Sequence, residues 1–315
     1  MTDVVLLTEA GPVAADFNAY RAVVLRAAAV RPWLRAHQSH VAAWRAAANA
    51  NDPHGLTLLA ECLSEGVGAA QNLDGAYSLL LRAADHGLAD ALYLLGECHI
   101  DGAGCSLDRV RALECHTAAA KQKHAPAEFA IGLAHYDGVN GKPSNYEAAK
   151  WFLSAANRGY APAQYKLGRM LTEGKELRRD LAFGLEWLQK SAEAGFAKAQ
   201  LALGHYHRDP QGGPPNDREA LKWFKKASEN GSAEAKYEIG RMFYNGAGVR
   251  IDMLVAAEWY AEAAEAGHAE AGYRLGLMFR DSHNPDYPEA LRWFQCAAKH
   301  GHAAAGWAAQ ELSRN

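Results

Sequence analysis

The sequence is short of cysteine, of excess positive charge and of long apolar runs. Its 315 residues include five cysteines, too few and too irregularly spaced for a disulfide framework. Lys and Arg total 33 against 36 Asp and Glu, a formal net charge of −3, so the basic field that meets phosphate in nucleic-acid-binding proteins is missing. No run approaches the roughly 18 apolar residues of a membrane span. We therefore expect neither nucleic-acid binding nor membrane insertion.

The first residues also have little of what a secretory signal needs. Met1–Glu9 contains no basic residue and only a short apolar stretch, whereas a signal peptide begins with basic residues that are followed by a longer apolar run. Together with the scarcity of cysteine, this predicts a reducing, cytoplasmic location. The composition, 49% apolar and 22% charged, is ordinary for a globular protein.

What the sequence does have is an internal repeat of 36 residues, marked by three ladders. A pair formed by Leu or Ile and a following Gly recurs at Leu95-Gly96, Ile131-Gly132, Leu167-Gly168, Leu203-Gly204, Ile239-Gly240 and Leu275-Gly276. The other ladders are a glycine near the end of six of the seven repeats and a tryptophan at Trp151, Trp187, Trp223, Trp259 and Trp293. They define seven repeats between residues 53 and 302, which begin at Pro53, Ala89, Ala125, Ala161, Ala197, Ala233 and Ala269. A period of this length indicates a stack of supersecondary units.

Each repeat is predicted to form two antiparallel helices, as the sixth one illustrates. Apolar residues at helical spacing from Ala233 are followed by the turn sequence Asn245–Gly248, and Asp252 is placed to cap a second helix that ends before Gly267. The glycine after Leu or Ile should let the second helix approach closely, and the tryptophan should fill the space between the helices. One such hairpin cannot bury its own apolar face, so neighbouring hairpins must stack.

The Leu-Gly step, the alanine pairs of the second helix, the loop Gly246-Ala247-Gly248-Val249 and the Trp-Tyr or Trp-Phe pair resemble the Sel-one-like repeat family, a relative of the tetratricopeptide repeat. The resemblance covers about four-fifths of the chain. It implies an all-α fold, a right-handed superhelical solenoid of seven helix-turn-helix repeats of 34–36 residues, with the first helices lining a concave groove. The first repeat departs from the pattern at Ala60, where glycine is expected, and the second at Cys115, where tryptophan is expected.

The two ends read as helical caps, which a solenoid needs for solubility. We predict an N-terminal cap over residues 1–52, seven repeats over 53–302 and a capping segment over 303–315 with a helix at Ala303–Leu312. Within the N-terminal cap, the residues from Pro12 to Val30 should form one helix. Those from Pro32 to Ala50 should form the second helix of an incomplete leading repeat.

The residues that could carry chemistry are better explained by packing. His99, His135 and His207 share a repeat position that elsewhere holds apolar residues, and the two that are close neighbours fall short of a zinc ligand set. Cys62 and Cys98 also share one position and read as small buried apolar side chains. No hydrolase, protease or phosphate-binding motif stands in a suitable context. We therefore predict no catalytic residue, no metal site and no cofactor.

The residues expected to face the groove are the fifth, ninth and twelfth of each repeat, by analogy with tetratricopeptide repeats. The fifth position is largely aromatic from the second repeat onward. The ninth and twelfth positions include Glu61 and Glu97 in the first two repeats and become largely basic from the fourth repeat onward. The predicted partner-binding residues are Tyr165, Arg169, His205, Arg208, Tyr237, Arg241, Tyr244, Tyr273 and Arg280. Aromatic rings supply contact area and guanidinium groups bind carboxylates in pairs of hydrogen bonds, so the expected guest is an acidic segment or a C-terminal carboxylate.

These expectations favour a non-enzymatic adaptor that binds a partner protein or peptide in its concave groove. Two alternatives stay open at this point. One is a hydrolase acting on cell-wall or β-lactam substrates, which would need a nucleophile and a base on the groove wall. The other is an immunity or regulatory protein for a secreted effector, which would use the same binding chemistry on a different partner.

Overall fold

The computed structural model describes residues 11–25, 30–139, 141–175, 177–209 and 214–314. Within these ranges the chain forms 18 α-helices and no strand, as predicted for an all-α repeat protein. No helix in the described ranges is both long and apolar enough to span a bilayer. The predicted signal-free N-terminus and residues 26–29 of the predicted first helix lie outside the described residues, as do residues 210–213 of the loop in the fifth repeat.

Three helices precede the repeats and one follows them: α1 (Pro12–Leu25), α2 (Val30–Ala36), α3 (Val41–Asn49) and α18 (Ala303–Leu312). The first helices of the seven repeats are α4 (Pro53–Glu65), α6 (Ala89–Asp101), α8 (Ala125–Asp137), α10 (Ala161–Glu173), α12 (Ala197–Arg208), α14 (Ala233–Asn245) and α16 (Ala269–Arg280). Their second helices are α5 (Leu73–Asp85), α7 (Arg109–Ala120), α9 (Asn145–Asn157), α11 (Leu181–Glu193), α13 (Asp217–Glu229), α15 (Met253–Glu265) and α17 (Tyr287–Lys299). The predicted C-terminal helix is confirmed residue for residue.

Two compact units make up the chain, Met1–Lys190 and Ser191–Asn315. The first unit contains α1 to α10 and most of α11. Its N-terminal core joins residues of the leading helices, Phe17, Tyr20 and Trp44, to Leu56 and Leu58 of the first repeat. The second unit contains α12 to α18, with small cores between successive repeats such as the one around Phe224 and Ile239.

The ladder glycine lets the two helices of a repeat touch, as predicted, but the side chain opposite it is not the tryptophan. A Cβ atom at Gly132 would lie 2.5 Å from the Phe152 ring, and one at Gly240 would lie 2.7 Å from the Tyr260 ring. In each case the contact comes from the residue after the ladder tryptophan. Ladder tryptophans such as Trp187 and Trp293 are buried in the hydrophobic cores, but the residue after each tryptophan faces the glycine, because successive helical residues point about 100° apart.

The N-terminal segment departs from the predicted single helix over Pro32–Ala50. The chain bends at His37, whose Nδ1 lies 2.8 Å from the Trp33 carbonyl oxygen, and a short 3-10 segment, Gln38–His40, connects α2 to α3. The bend stacks Trp33 on Trp44 with ring centroids 5.9 Å apart. In one straight helix, eleven residues of rise would separate these rings by about 16 Å along the axis, so stacking of the two rings requires the break.

Candidate functional site

Two ion-paired arginines of the second unit converge on one buried carboxylate. Glu238 is 3% exposed and accepts hydrogen bonds from Nη1 of Arg208 at 2.5 Å and from Nη1 of Arg241 at 2.8 Å. Arg208 comes from α12 and the other two residues from α14, so the cluster links the fifth repeat to the sixth. Arg208 also lies 3.9 Å from the Asp217 carboxylate, so more than one carboxylate offsets the two guanidinium charges.

His205 lies beside this cluster and raises the question of a metal site. Its ring and the carboxylates of Glu234 and Glu238 bring three potential ligand atoms within 4.8 Å of one another. Both oxygens of Glu238 already accept from arginines, and Glu234 lies 2.8 Å from His268 Nε2. Because cationic or donor groups engage both carboxylates, the arrangement acts as an ion-pair network between repeats.

The predicted groove tyrosines differ in how much surface they offer. Tyr237 is 8% exposed, because it stacks on His268 with ring centroids 4.4 Å apart. Tyr273 stacks in the same way on His302 at 4.3 Å. Tyr244 is 41% exposed. Of the predicted rings in the second unit, Tyr244 therefore offers the most contact area, and Tyr237 and Tyr273 contribute mainly to packing between repeats.

The remaining predicted arginines are paired within their own helix or at its end. In the first unit, Arg169 forms an ion pair with Glu173 one turn further along α10, and its Nη1 donates to the Tyr165 hydroxyl at 3.3 Å. In the second unit, Arg280 pairs with the adjacent Asp281, with Nε 2.6 Å from the carboxylate. Local carboxylates therefore offset part of the positive charge that the sequence places along these helices.

A cavity of about 730 Å³ opens in the second unit among α14, α15 and α16. Predicted residues Tyr237, Arg241 and Tyr244 line it, together with Tyr260 and Arg274. The last two were missed by the sequence analysis, because Tyr260 belongs to a second helix and Arg274 is the sixth residue of its repeat. The sequence did contain a signal for Arg274, because Arg274 follows Glu270 at the i, i+4 spacing of a helical ion pair. In the structure Arg274 Nε donates to the Glu270 carboxylate at 2.6 Å.

A histidine at the last position of several repeats joins each of them to the next. His268 Nδ1 accepts from the Ala271 backbone N–H at 3.1 Å and so caps α16, while its Nε2 lies 2.8 Å from Glu234 in the preceding first helix. Because Nδ1 accepts, the neutral ring carries its proton on Nε2 and donates it to the carboxylate. His124 with Asp90 and His302 with Glu270 repeat the arrangement.

We expect His268→Ala to lower the free energy of unfolding by about 1–2 kcal/mol, because helix α16 loses its N-cap and the Tyr237 ring loses its stacking partner. The matched variant is His268→Ser, which restores a cap of the kind that Ser232 provides for α14, and it should recover about half of the loss. Urea denaturation followed by circular dichroism measures both. Equal stability of the alanine and serine variants would contradict the capping role.

In the first unit, helix α1 occupies the surface over the first helices of the early repeats. The Tyr20 hydroxyl donates to Glu61 at 3.1 Å, and Arg21 pairs with Asp90 at 3.4 Å. Glu61 is a predicted groove position, so the acidic start of the groove is covered by the chain itself. The sequence predicts a helix here, but its position could not be predicted because it matches no repeat.

The five cysteines and the histidines that share a repeat position lie within helices or, for Cys105, in the loop between the two helices of a repeat. All five cysteines, each within the described residues, carry free thiols, and burial raises the pKa of Cys62 and Cys98 to about 12. His99 is buried, with its Nε2 3.4 Å from the Tyr77 hydroxyl, and His135 and His207 are half-buried.

Known proteins share both the repeat and its fold. The Sel1 repeat profile matches residues 53–88, 89–124, 125–160, 161–196, 197–232, 233–268 and 269–302, the seven repeats read from the ladders. No curated relative matches the chain.

Two solved structures resemble the chain closely. The protein c5321 of uropathogenic Escherichia coli, described as a protective antigen with an SLR fold, is 25% identical with a TM-score of 0.70. The match covers 86% of this chain and 59% of that protein, so the chain spans less than two thirds of its length. A Sel1 repeat protein from Oxalobacter formigenes is 29% identical with a TM-score of 0.65, over 69% of this chain and 89% of that one. With all seven repeats matched and the same fold in these structures, the chain belongs to the Sel1 repeat family.

Proposed function

We propose that this protein is a non-enzymatic interaction scaffold that binds an acidic segment of a partner protein on the first helices of its repeats. Sel1 repeat proteins are typically interaction scaffolds, and that class of function is the background to the proposal. The observation that carries it is the cavity of about 730 Å³, in which Arg241 and Arg274 lie together with the rings of Tyr237, Tyr244 and Tyr260. Guanidinium groups beside aromatic rings are typical of the centres of protein interfaces.

Two arginines and one carboxylate, that of Asp281, line this cavity, and this balance favours an acidic guest. Arg241 shares Glu238 with Arg208, and Arg274 shares Glu270 with His302. Each guanidinium therefore keeps donors that its carboxylate does not fill. A carboxylate of the guest would complete those hydrogen bonds, and an aromatic or apolar neighbour would pack on Tyr244. Arg280 and His205 extend the same face, and Tyr165 with Arg169 offers a comparable pair in the first unit.

The test uses two fluorescently labelled peptides. The acidic peptide alternates Glu and Leu and has a free C-terminal carboxylate, and the neutral peptide alternates Gln and Leu and is amidated. We expect fluorescence anisotropy to show binding of the acidic peptide. Its affinity should fall as the salt concentration rises from about 50 to 300 mM, because salt screens the attraction between charges. The variant is Arg208→Gln with Glu238→Gln, Arg241→Gln and Arg274→Gln, which removes the arginines without leaving Glu238 buried and unpaired.

This fourfold variant should bind the acidic peptide at least tenfold more weakly, about 1.4 kcal/mol. The control is Arg292→Gln on the second helix α17, where the side chain is 62% exposed and pairs with Glu289; its affinity should equal that of the wild type. Equal binding of the acidic and neutral peptides, or unchanged affinity of the fourfold variant, would overturn the proposal. An immunity or regulatory role would use this same face and differ only in the partner.

The free thiols support a reducing, cytoplasmic location as part of the proposal. Because no cysteine is paired, we expect a reducing agent to leave the melting temperature unchanged within about 1 °C. A native disulfide is typically worth about 2–4 kcal/mol, so a missed bridge would show as a fall of several degrees. Differential scanning calorimetry with and without dithiothreitol measures this.

A further inference from the structure

Helix α1 packs on the repeats through its apolar side chains and on the leading helices through Asp16, which accepts from Trp44 Nε1 at 2.8 Å and lies 2.9 Å from His40 Nδ1. Phe17 and Tyr20 are 2% and 1% exposed, and Phe17 stacks on His54 of α4 with ring centroids 4.4 Å apart. Val13 and Val24 pack against the same core. These four side chains follow the i, i+4, i+7, i+11 spacing by which an amphipathic helix lies in a groove.

Polar contacts fix the position of α1 over the first helices. The Tyr20 hydroxyl meets Glu61 on α4, Arg21 meets Asp90 on α6, and α1 also contacts α8. Glu61 and Asp90 are the ninth and second residues of their repeats. The floor of the groove is therefore acidic where the helix presents its arginine and its phenol.

The groove continues beyond the end of α1. Arg21 and Val24 border a small cleft that reaches Pro126, and Pro126 also lines a second cavity of about 420 Å³. The rings of Tyr93, Phe129 and Tyr160 line that cavity, which lies among α6, α7 and α8. Within the described residues, helix α1 does not line this aromatic cavity.

We propose that the groove over α4, α6 and α8 is a helix-binding surface that α1 holds within the chain and that an amphipathic helix of a partner protein takes by displacing α1. The partner helix carries two aromatic residues three apart, a basic residue directly after the second, and a further apolar side chain that enters the aromatic cavity. This surface lies in the first unit and is separate from the acidic-segment site proposed above.

Exchange is feasible because α1 is short and its docking buries the carboxylate of Glu61, a cost that the Tyr20 hydrogen bond only partly offsets. A 14-residue helix is marginal on its own, so α1 depends on docking to stay folded. Burial raises the pKa of Glu61 to about 7, which means that the docked state binds a proton more tightly than an open groove would. Docking therefore weakens as the pH rises from the ordinary carboxyl pKa of about 4.5 to about 7, and above pH 7 Glu61 is charged in both states and the dependence ends. A partner helix that also fills the aromatic cavity gains apolar contact that α1 does not make.

The test measures binding of a labelled, acetylated and amidated peptide of residues 11–25 to the full-length chain. The receptor is a variant with Phe17→Ser and Tyr20→Ser, in which the attached α1 can no longer dock. We expect the peptide to bind this variant at least tenfold more tightly than the wild type, because in the wild type the tethered helix competes at high effective concentration. A peptide with the same two serine changes is the control and should not bind.

A second receptor variant controls for misfolding of the first. Ala22→Pro breaks α1 on its exposed side and leaves every groove residue unchanged, and it should bind the peptide as the double-serine variant does. The peptide extended by one helical turn that ends in leucine should bind more tightly still. The fourfold variant of the second unit should leave these affinities unchanged, which separates this proposal from the acidic-segment proposal.

Two results would overturn the inference. One is that the peptide binds neither receptor although both keep the helical content of the repeats. The other is that both receptors unfold cooperatively with the first repeats, which would make α1 a permanent part of their core. Hydrogen exchange of the wild type gives an independent reading, since exchangeable docking predicts that the amides of α1 exchange well before those of α4.

Discussion

Replacing Gly168 by alanine is expected to lower the free energy of unfolding by about 2–3 kcal/mol or more. An added Cβ would lie 2.8 Å from Leu188 Cγ, 2.9 Å from the Gly184 carbonyl oxygen and 3.0 Å from the Leu188 nitrogen. Two of these three atoms belong to the backbone of α11, so a change of rotamer cannot relieve the contact. Helices α10 and α11 must move apart, and the side chains packed between them lose contact.

The matched control is Gly306→Ala in α18. Its added Cβ would meet nothing closer than Ala298 Cβ at 3.9 Å, so the change adds helix propensity without a clash and should raise stability by about 0.5–1 kcal/mol. Chemical denaturation followed by circular dichroism compares the two. If both alanines have the same sign of effect, the close approach of α10 and α11 at Gly168 is not as described.

The second large effect is expected at Glu238. Replacing Arg208 and Arg241 together by alanine should lower the free energy of unfolding by about 3–5 kcal/mol, because the carboxylate of Glu238 would be left buried without a counter-charge. The loss arises from the stranded charge more than from the lost contacts, since both arginines are partly exposed and such pairs contribute little by themselves.

Adding Glu238→Gln to the double variant tests that cause directly. The glutamine keeps the size of the side chain and removes the charge, so the triple variant should regain about half or more of the lost stability. Melting temperatures and urea midpoints of the wild type, the double and the triple variant provide the comparison. A triple variant no more stable than the double one would assign the loss to packing instead of charge.

The repeated part of this fold could be predicted from the sequence because the same residue pattern recurs in successive repeats. The glycine that recurs from Gly96 to Gly276 marks a place where two helices touch, and six copies average out local exceptions. The ladder did not reveal which side chain faces the glycine, because the tryptophan and the residue after it, such as Trp151 and Phe152, recur with the same period. Only the direction of the Cβ atoms separates them.

The non-periodic part could not be predicted for the opposite reason. Helix α1 occurs once, and its place over Glu61 depends on single contacts that no repetition reinforces. The bend at His37 likewise reflects one stacked pair, Trp33 on Trp44. At the proposed binding site the sequence supplied Arg241 and Tyr244 from a position rule, whereas Arg274 became evident from the cavity that it lines.

The histidine at the end of a repeat has a consequence for how such a chain can grow. Glu234 and His268 both lie within residues 233–268, as Asp90 and His124 lie within 89–124, yet each histidine caps the helix that begins the following block. A duplicated or deleted block of 36 residues therefore keeps its acid and its histidine together. A block that ends in histidine therefore brings the cap for whichever first helix comes next, whereas Leu88, Tyr160 and Phe196 at the ends of other blocks supply no side-chain cap. Copying of a histidine-ended block can lengthen the array without new residues having to match at the junction.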